Sequence, residues 1–99
     1  MKVQDKNNKM ARILIANDEH DLRDLVAFTL RFAEHKVFVA INGEEVVETA
    51  LKSFPDLILI DVRMPRMTGY EACKELKHNP DFKNIPIVFL SAKGQASEL

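Results

Sequence analysis

Several features that would classify a chain quickly are scarce or missing from this sequence. One cysteine, Cys73, in 99 residues leaves no intramolecular disulfide to form, so a disulfide scaffold is excluded. The three glycines, Gly43, Gly69 and Gly94, make neither G-x-G nor G-x-x-x-x-G-K. No glycine-rich phosphate cradle is therefore encoded, and nucleotide binding is not expected. An excess of one charge is missing too, because 14 basic against 15 acidic residues leave a formal net charge of −1. That balance gives no footprint for direct nucleic-acid binding or for an anionic membrane. The longest strongly apolar runs are about five residues, far short of the roughly 20 that cross a bilayer. A targeting signal with a basic start and an apolar stretch is absent from the amino terminus, and a cytoplasmic location is expected. His20, His35 and His78 lie in different segments without metal-ligand spacing.

What remains is an ordinary composition, 46% hydrophobic and 29% charged, that describes one domain with one core. Residues 1 to 11 are polar and aperiodic and read as a flexible tail, with Met10 available as a second start. Ile13-Leu14-Ile15-Ala16 is a short apolar run, as in a strand buried on both faces, and it stops at Asn17-Asp18. Leu22, Leu25, Val26, Thr29, Leu30 and Ala33 then recur with helical period and predict a helix that packs through that stripe. Val37 to Ile41 is β-branched and aromatic, and Asn42-Gly43 ends it while opening a second helix with Val46, Val47, Ala50 and Leu51 on its apolar face. Phe54-Pro55-Asp56 breaks that helix before the third strand, Leu57 to Ile60, which Asp61 terminates. A third helix runs from Thr68-Gly69 to Asn79-Pro80, and Ile85 to Leu90 is the fourth strand, followed by Ser91.

Strict alternation of strands and helices implies right-handed crossovers and a parallel sheet covered on both faces. Ligand chemistry in such sheets collects at the carboxyl ends of the strands. Those ends carry Asn17-Asp18, Asp61 and Ser91. Two carboxylates brought together repel unless a cation lies between them or one is protonated. A magnesium ion suits them, since it takes oxygen ligands, keeps several waters and is commonly held by one or two carboxylates. A carboxylate can also act as a nucleophile toward phosphorus.

Ile13 to Glu19, Leu57 to Pro65 with Gly69, and Ile85 to Ala92 jointly resemble the receiver domain of two-component response regulators, over residues 12 to 95. The resemblance implies a flavodoxin-like, CheY-like doubly wound α/β sheet, truncated here to about four strands and three helices plus the start of a fourth. Residues 12 to 99 are then a partial receiver. It also implies that Asp61 accepts a phosphoryl group from a sensor histidine kinase or phosphotransfer protein. Mg2+ would be held by Asp18, Asp61 and the Arg63 backbone carbonyl, with Ser91 as the switch hydroxyl. Met64-Pro65 and Gly69 would shape the loop after Asp61, and small Ala92 would leave access to the site. Such a module assists its own phosphorylation and dephosphorylation and is not a turnover enzyme.

Two departures from the family pattern shape the expectations. Asn17 stands where the family usually has a second acid; its amide can still accept a hydrogen bond from a metal-bound water, so weaker Mg2+ binding is expected. The sequence also stops at Leu99, before the family's fifth strand, the lysine that ends it and the fifth helix. Arg63 and Lys93 are the nearby cations that remain. The fourth strand is expected to be an open edge and the first helix and sheet to lose the cover of the fifth helix, and self-association through that exposed side follows. Two other functions compete: a degenerate receiver acting through protein contacts alone, and an aspartyl-phosphate phosphatase. The second typically needs an acid two positions after the nucleophile, where this chain has Arg63.

Overall fold

The computed structural model describes residues 10–64, 66–90 and 96–98. Strand β1 spans Arg12–Ala16 and leads through helix α1, His20–Phe32, to β2, Lys36–Ala40. Helix α2, Gly43–Ser53, connects to β3, Leu57–Asp61; helix α3, Gly69–Lys77, and a short 3-10 turn at Pro80–Phe82 lead to β4, Ile87–Leu90. The sheet order is β2-β1-β3-β4-β5, the first four strands being parallel. The doubly wound architecture expected from the alternating pattern is therefore present.

Period-two alternation divides the strands between two layers. Leu14, Ala16, Ile58, Ile60, Ile87 and Phe89 face α2 and α3 and join Val46, Ala50, Ala72, Cys73, Leu76 and Phe82 in the main core. Ile15, Val37 and Ala27 form a smaller core beneath α1, flanked by Val26, Leu30, Val39 and Leu59. Burying each large apolar side chain contributes about 1.5–3 kcal/mol, so the α2–α3 layer contributes most to stability. Pro86 immediately precedes β4, where its missing N–H interrupts no ladder, and its carbonyl accepts from Ile58 N–H at 3.1 Å.

Local sequence accounts for the helix starts. The Asn42 side chain caps α2 by accepting from Glu45 N–H at 2.9 Å. Thr68 and Glu71 form a reciprocal capping box at the start of α3, with bonds of 3.1 and 2.9 Å.

Three expectations are corrected. The buried face of α1 is not the Leu22–Leu25–Thr29–Ala33 side, for those residues are exposed; Ala27 is buried, with Arg23, Val26 and Leu30 half-buried. α1 is apolar around more than half its girth, and the small Ala27 lets the helix sit close on β1 and β2. Leu51 likewise points outward from α2. The third correction concerns the last residues, where the start of a fourth helix and an open β4 edge were expected. Strand β5, Ala96–Glu98, instead pairs antiparallel with β4, Leu90 opposite Ala96 and Val88 opposite Glu98. Unpaired strand N–H and C=O groups are costly, and this pairing satisfies those on the outer side of β4.

Candidate functional site

β1 and β3 are neighbours, with Ala16 opposite Ile60, yet the chain leaves them toward opposite sides of the sheet. β1 connects outward to β2 and β3 connects outward to β4. At such a reversal the two connections diverge and leave a crevice beyond the strand ends. Asn17-Asp18 follows β1 and Asp61 ends β3, so the sequence places its polar residues on the two sides of that crevice.

Asp61 is half-buried, its backbone held in the sheet opposite Leu90 of β4. Its Oδ1 accepts the Arg63 N–H at 3.1 Å, which fixes the carboxylate against the following turn. Met64 then turns into the core and anchors the loop. The start of α3 closes it from the other side, Gly69 N–H donating to the Val62 carbonyl at 3.2 Å. A Cβ at Gly69 would lie 2.5 Å from the Asp61 carbonyl oxygen and 3.0 Å from Val62 Cα, so only glycine lets the helix approach the acceptor strand this closely. Arg66, at φ 71°, reaches across to Glu44 at the start of α2 in a 2.6 Å ion pair. Both side chains are exposed, so that pair adds little stability.

On the β1 side, Asp18 is exposed and Asn17 is buried. Asn17 N–H donates to the Ala40 carbonyl at 3.1 Å, while its side-chain Oδ1 accepts the Glu19 N–H at 2.7 Å. Oδ1 retains a second acceptor direction. The Arg23 guanidinium donates from Nη1 to the Asn17 carbonyl at 3.1 Å, and this contact was missed from sequence. Arg23 shares the face of Val26 and Ala27, one turn on, and Leu30, two turns on, a placement that emerges only once α1 is set against the sheet. Of the two cations nominated from sequence, Arg63 is exposed, and Lys93 lies outside the described residues. Ser91 and Pro65 lie outside them as well, although Leu90, the register partner of Asp61, immediately precedes Ser91.

Among the described residues no group of three or more His, Cys, Asp or Glu side chains could hold a metal ion. The available donors are two carboxylates and backbone oxygens. That set suits Mg2+, which keeps much of its water, better than an ion requiring a full protein cage. Away from the crevice, burial pushes the Cys73 thiol up from its ordinary pKa, and the nearby Lys77 ammonium opposes this. No helix among the described residues is long and apolar enough to cross a membrane.

A doubly wound sheet whose first four strands are parallel, with an aspartate at the end of β3 and an acidic turn after β1 on the two sides of its switch point, has the architecture of a flavodoxin-like receiver. Residues 13–99 match the response regulator receiver domain family, and the chain belongs to it: it is a receiver domain of two-component phosphorelay signalling. "Probable transcriptional regulator ycf27" of Pyropia yezoensis is 34% identical over 91 residues, 92% of this chain and 36% of that protein. "DNA-binding dual master transcriptional regulator RpaA" of Synechocystis is 34% identical over 89 residues, 90% of this chain and 37% of its own length. The chain thus spans little more than a third of these curated relatives. Among solved structures, the chemotaxis response regulator CheY4 of Vibrio cholerae aligns with a TM-score of 0.80 at 36% identity, over 83% of this chain and 68% of that one. The receiver domain of sensor histidine kinase PA1611 from Pseudomonas aeruginosa, with magnesium in its active-site cleft, aligns with a TM-score of 0.80 at 27% identity, over 85% and 69% respectively.

Proposed function

We propose that this chain is a phosphoacceptor receiver in which Asp61 takes a phosphoryl group from a histidine of a sensor kinase or phosphotransfer protein. The observation carrying the reading is Asp61 at the end of β3, beside the switch point and oriented by the Arg63 N–H. That bond engages Oδ1 and leaves Oδ2 to attack phosphorus in line with the phosphohistidine nitrogen. The new O–P bond forms as the P–N bond breaks, and the departing imidazole takes up a proton. Asp18, Asp61 and the Arg63 carbonyl are the residues that would hold Mg2+, with Asn17 contributing through a water. When bound by these residues, Mg2+ would supply positive charge to offset that of the transferred phosphoryl group. Ser91 donates a hydrogen bond to the phosphoryl group as the switch hydroxyl. The chain thereby assists its own phosphorylation and dephosphorylation, from a cytoplasmic location. DNA binding, named for RpaA, is not assigned to this chain, whose net charge is −1. Incubation with acetyl phosphate and Mg2+ tests the reading: intact mass should show one added phosphoryl group, lost in Asp61→Asn and on chelation. An unmodified wild-type chain would favour the second reading, a protein-interaction module independent of phosphorylation, which Asn17 in place of an acid supports.

Self-association belongs to the same proposal, with α1 as the surface. Leu22, Leu25, Phe28 and Phe32 are 41, 62, 67 and 82% exposed, and the two phenylalanine rings stack at 6.3 Å. Together they expose on the order of 450 Å², against about 800 Å² per partner in a standard interface. A weak dimer of two copies through α1 is expected, and sedimentation should show it dissociating on dilution and lost in Phe28→Ser/Phe32→Ser. A wild-type chain monomeric at high concentration would remove this part.

A further inference from the structure

Arg23 is the one described side chain with a buried polar atom, Nε, that finds no hydrogen-bond partner. Its side chain is 13% exposed, and its nearest carboxylate, Asp24 Oδ1, lies 3.9 Å from Nε. Leaving a charged donor desolvated and unpaired is costly. The compensating contact is the bond from Nη1 to the Asn17 carbonyl at 3.1 Å.

That carbonyl belongs to the peptide linking Asn17 to Asp18. A peptide unit is planar, so fixing its oxygen fixes the plane entering Asp18. The plane leaving Asp18 is fixed separately, because the Glu19 N–H donates to Asn17 Oδ1 at 2.7 Å. Asp18 has exposed side-chain surroundings and no core contact to orient it. The direction of its Cα–Cβ bond is therefore set by the two planes on either side.

We propose that Arg23 is a positioning residue, holding the Asn17–Asp18 peptide so that the Asp18 carboxylate points into the crevice beside Asp61. The proposal rests on the receiver reading of that crevice as a Mg2+ site. Partners that orient a metal ligand without touching the metal typically change affinity about 10- to 100-fold when removed. Asn17, which supplies the second restraint, is then a turn residue as much as a member of the metal surroundings.

The test uses the full chain and three variants: Arg23→Met, which keeps the apolar stem; Arg23→Gln, which is too short to reach the carbonyl; and Arg23→Lys, which keeps a cationic donor group. Folding is verified by circular dichroism, Mg2+ affinity is measured by calorimetry below each variant's unfolding range, and Glu19 amide exchange is followed without metal. Arg23→Met should bind Mg2+ at least about tenfold more weakly and exchange the Glu19 amide faster, with Arg23→Lys restoring most of both. If Arg23→Met does not fold, Arg23→Gln carries the same comparison. A folded Met or Gln variant whose Mg2+ affinity and Glu19 exchange equal wild type overturns the proposal. Failure of the wild type itself to bind Mg2+ counts instead against the receiver reading, and the exchange arm still decides whether Arg23 holds the turn.

Discussion

Substituting Gly69 by alanine separates helix propensity from site geometry. Gly69 is the first residue of α3, and replacing a helical glycine by alanine ordinarily gains about 0.5–1 kcal/mol. Sequence alone would therefore expect a small stabilisation. The structure reverses the sign. The added Cβ would meet the Asp61 carbonyl oxygen at 2.5 Å, Val62 Cα at 3.0 Å and the Asp61 carbonyl carbon at 3.1 Å. All three are backbone atoms, and Asp61 is paired with Leu90 in the sheet, so no flexible side-chain end can move aside. Relief requires α3 to back away by several tenths of an ångström, which loosens the Gly69 N–H bond to Val62 and the packing of Ala72, Cys73 and Leu76 beneath it. Overpacking of this kind costs about 1–3 kcal/mol. Subtracting the propensity gain leaves a net loss of about 0–2.5 kcal/mol, roughly 5–10 °C in melting temperature at the middle of that range for a domain of this size. Thermal unfolding of Gly69→Ala measures the loss, and acetyl-phosphate labelling measures displacement of Asp61 through its rate. Unchanged melting temperature and labelling rate would refute the reasoning, because they would mean that the helix and acceptor strand are not in the close contact described.

Other substitutions probe different parts of the account. Asn17→Asp keeps an oxygen for the Glu19 N–H while adding a negative charge at the acidic turn. At an effective dielectric near 20, charges about 4 Å apart interact by about 4 kcal/mol, and repulsion among the carboxylates offsets part of this. Mg2+ binding should tighten about tenfold, measured by calorimetry, and no gain would remove Asn17 from the metal surroundings. Lys77→Met removes an ammonium that donates to the carbonyls of Ile85, Lys83 and Phe82 at 2.7, 3.0 and 3.5 Å. Urea unfolding should show a loss of about 1.5–3 kcal/mol. Cys73 is buried with its pKa raised, mainly by desolvation. Its neutral thiol contributes stability fully below the pKa of the thiol in the unfolded chain and loses it as pH rises toward the higher folded value. Iodoacetamide at pH 8 should label Cys73 only as urea unfolds the chain, and Cys73→Ala should flatten the alkaline loss of stability.

Much of the architecture is legible in the sequence because local signals and global topology agree. Apolar runs at Ile13–Ala16 and Leu57–Ile60 mark the two central strands, the first buried on both faces and the second fully on one, and Asn42 and Thr68 mark the helix starts they cap. Polar residues immediately after those runs locate the crevice. Rotation of α1 is not legible, since its apolar residues occupy more than one face and only packing against β1 and β2 selects Ala27 over Leu22 and Leu25. Arg23 is hidden for the same reason, because a charge inside an apolar stripe resembles a boundary until the helix is set against the sheet. β5 is hidden because Ala96–Glu98 has no strand-like pattern of its own and takes its conformation from the β4 edge. Gly69 is visible as a helix start, but the reason it must be glycine is a tertiary contact with Asp61.

Site mapping of the phosphoryl group tests the central claim most directly. After incubation with acetyl phosphate and Mg2+, borohydride reduction converts an aspartyl phosphate to homoserine, and peptide sequencing by mass locates it. Homoserine at position 61, absent from Asp61→Asn and from chelated samples, is the expected result. Reduction elsewhere, or none in the wild-type chain under matched Mg2+, would contradict the assignment of Asp61 as the acceptor.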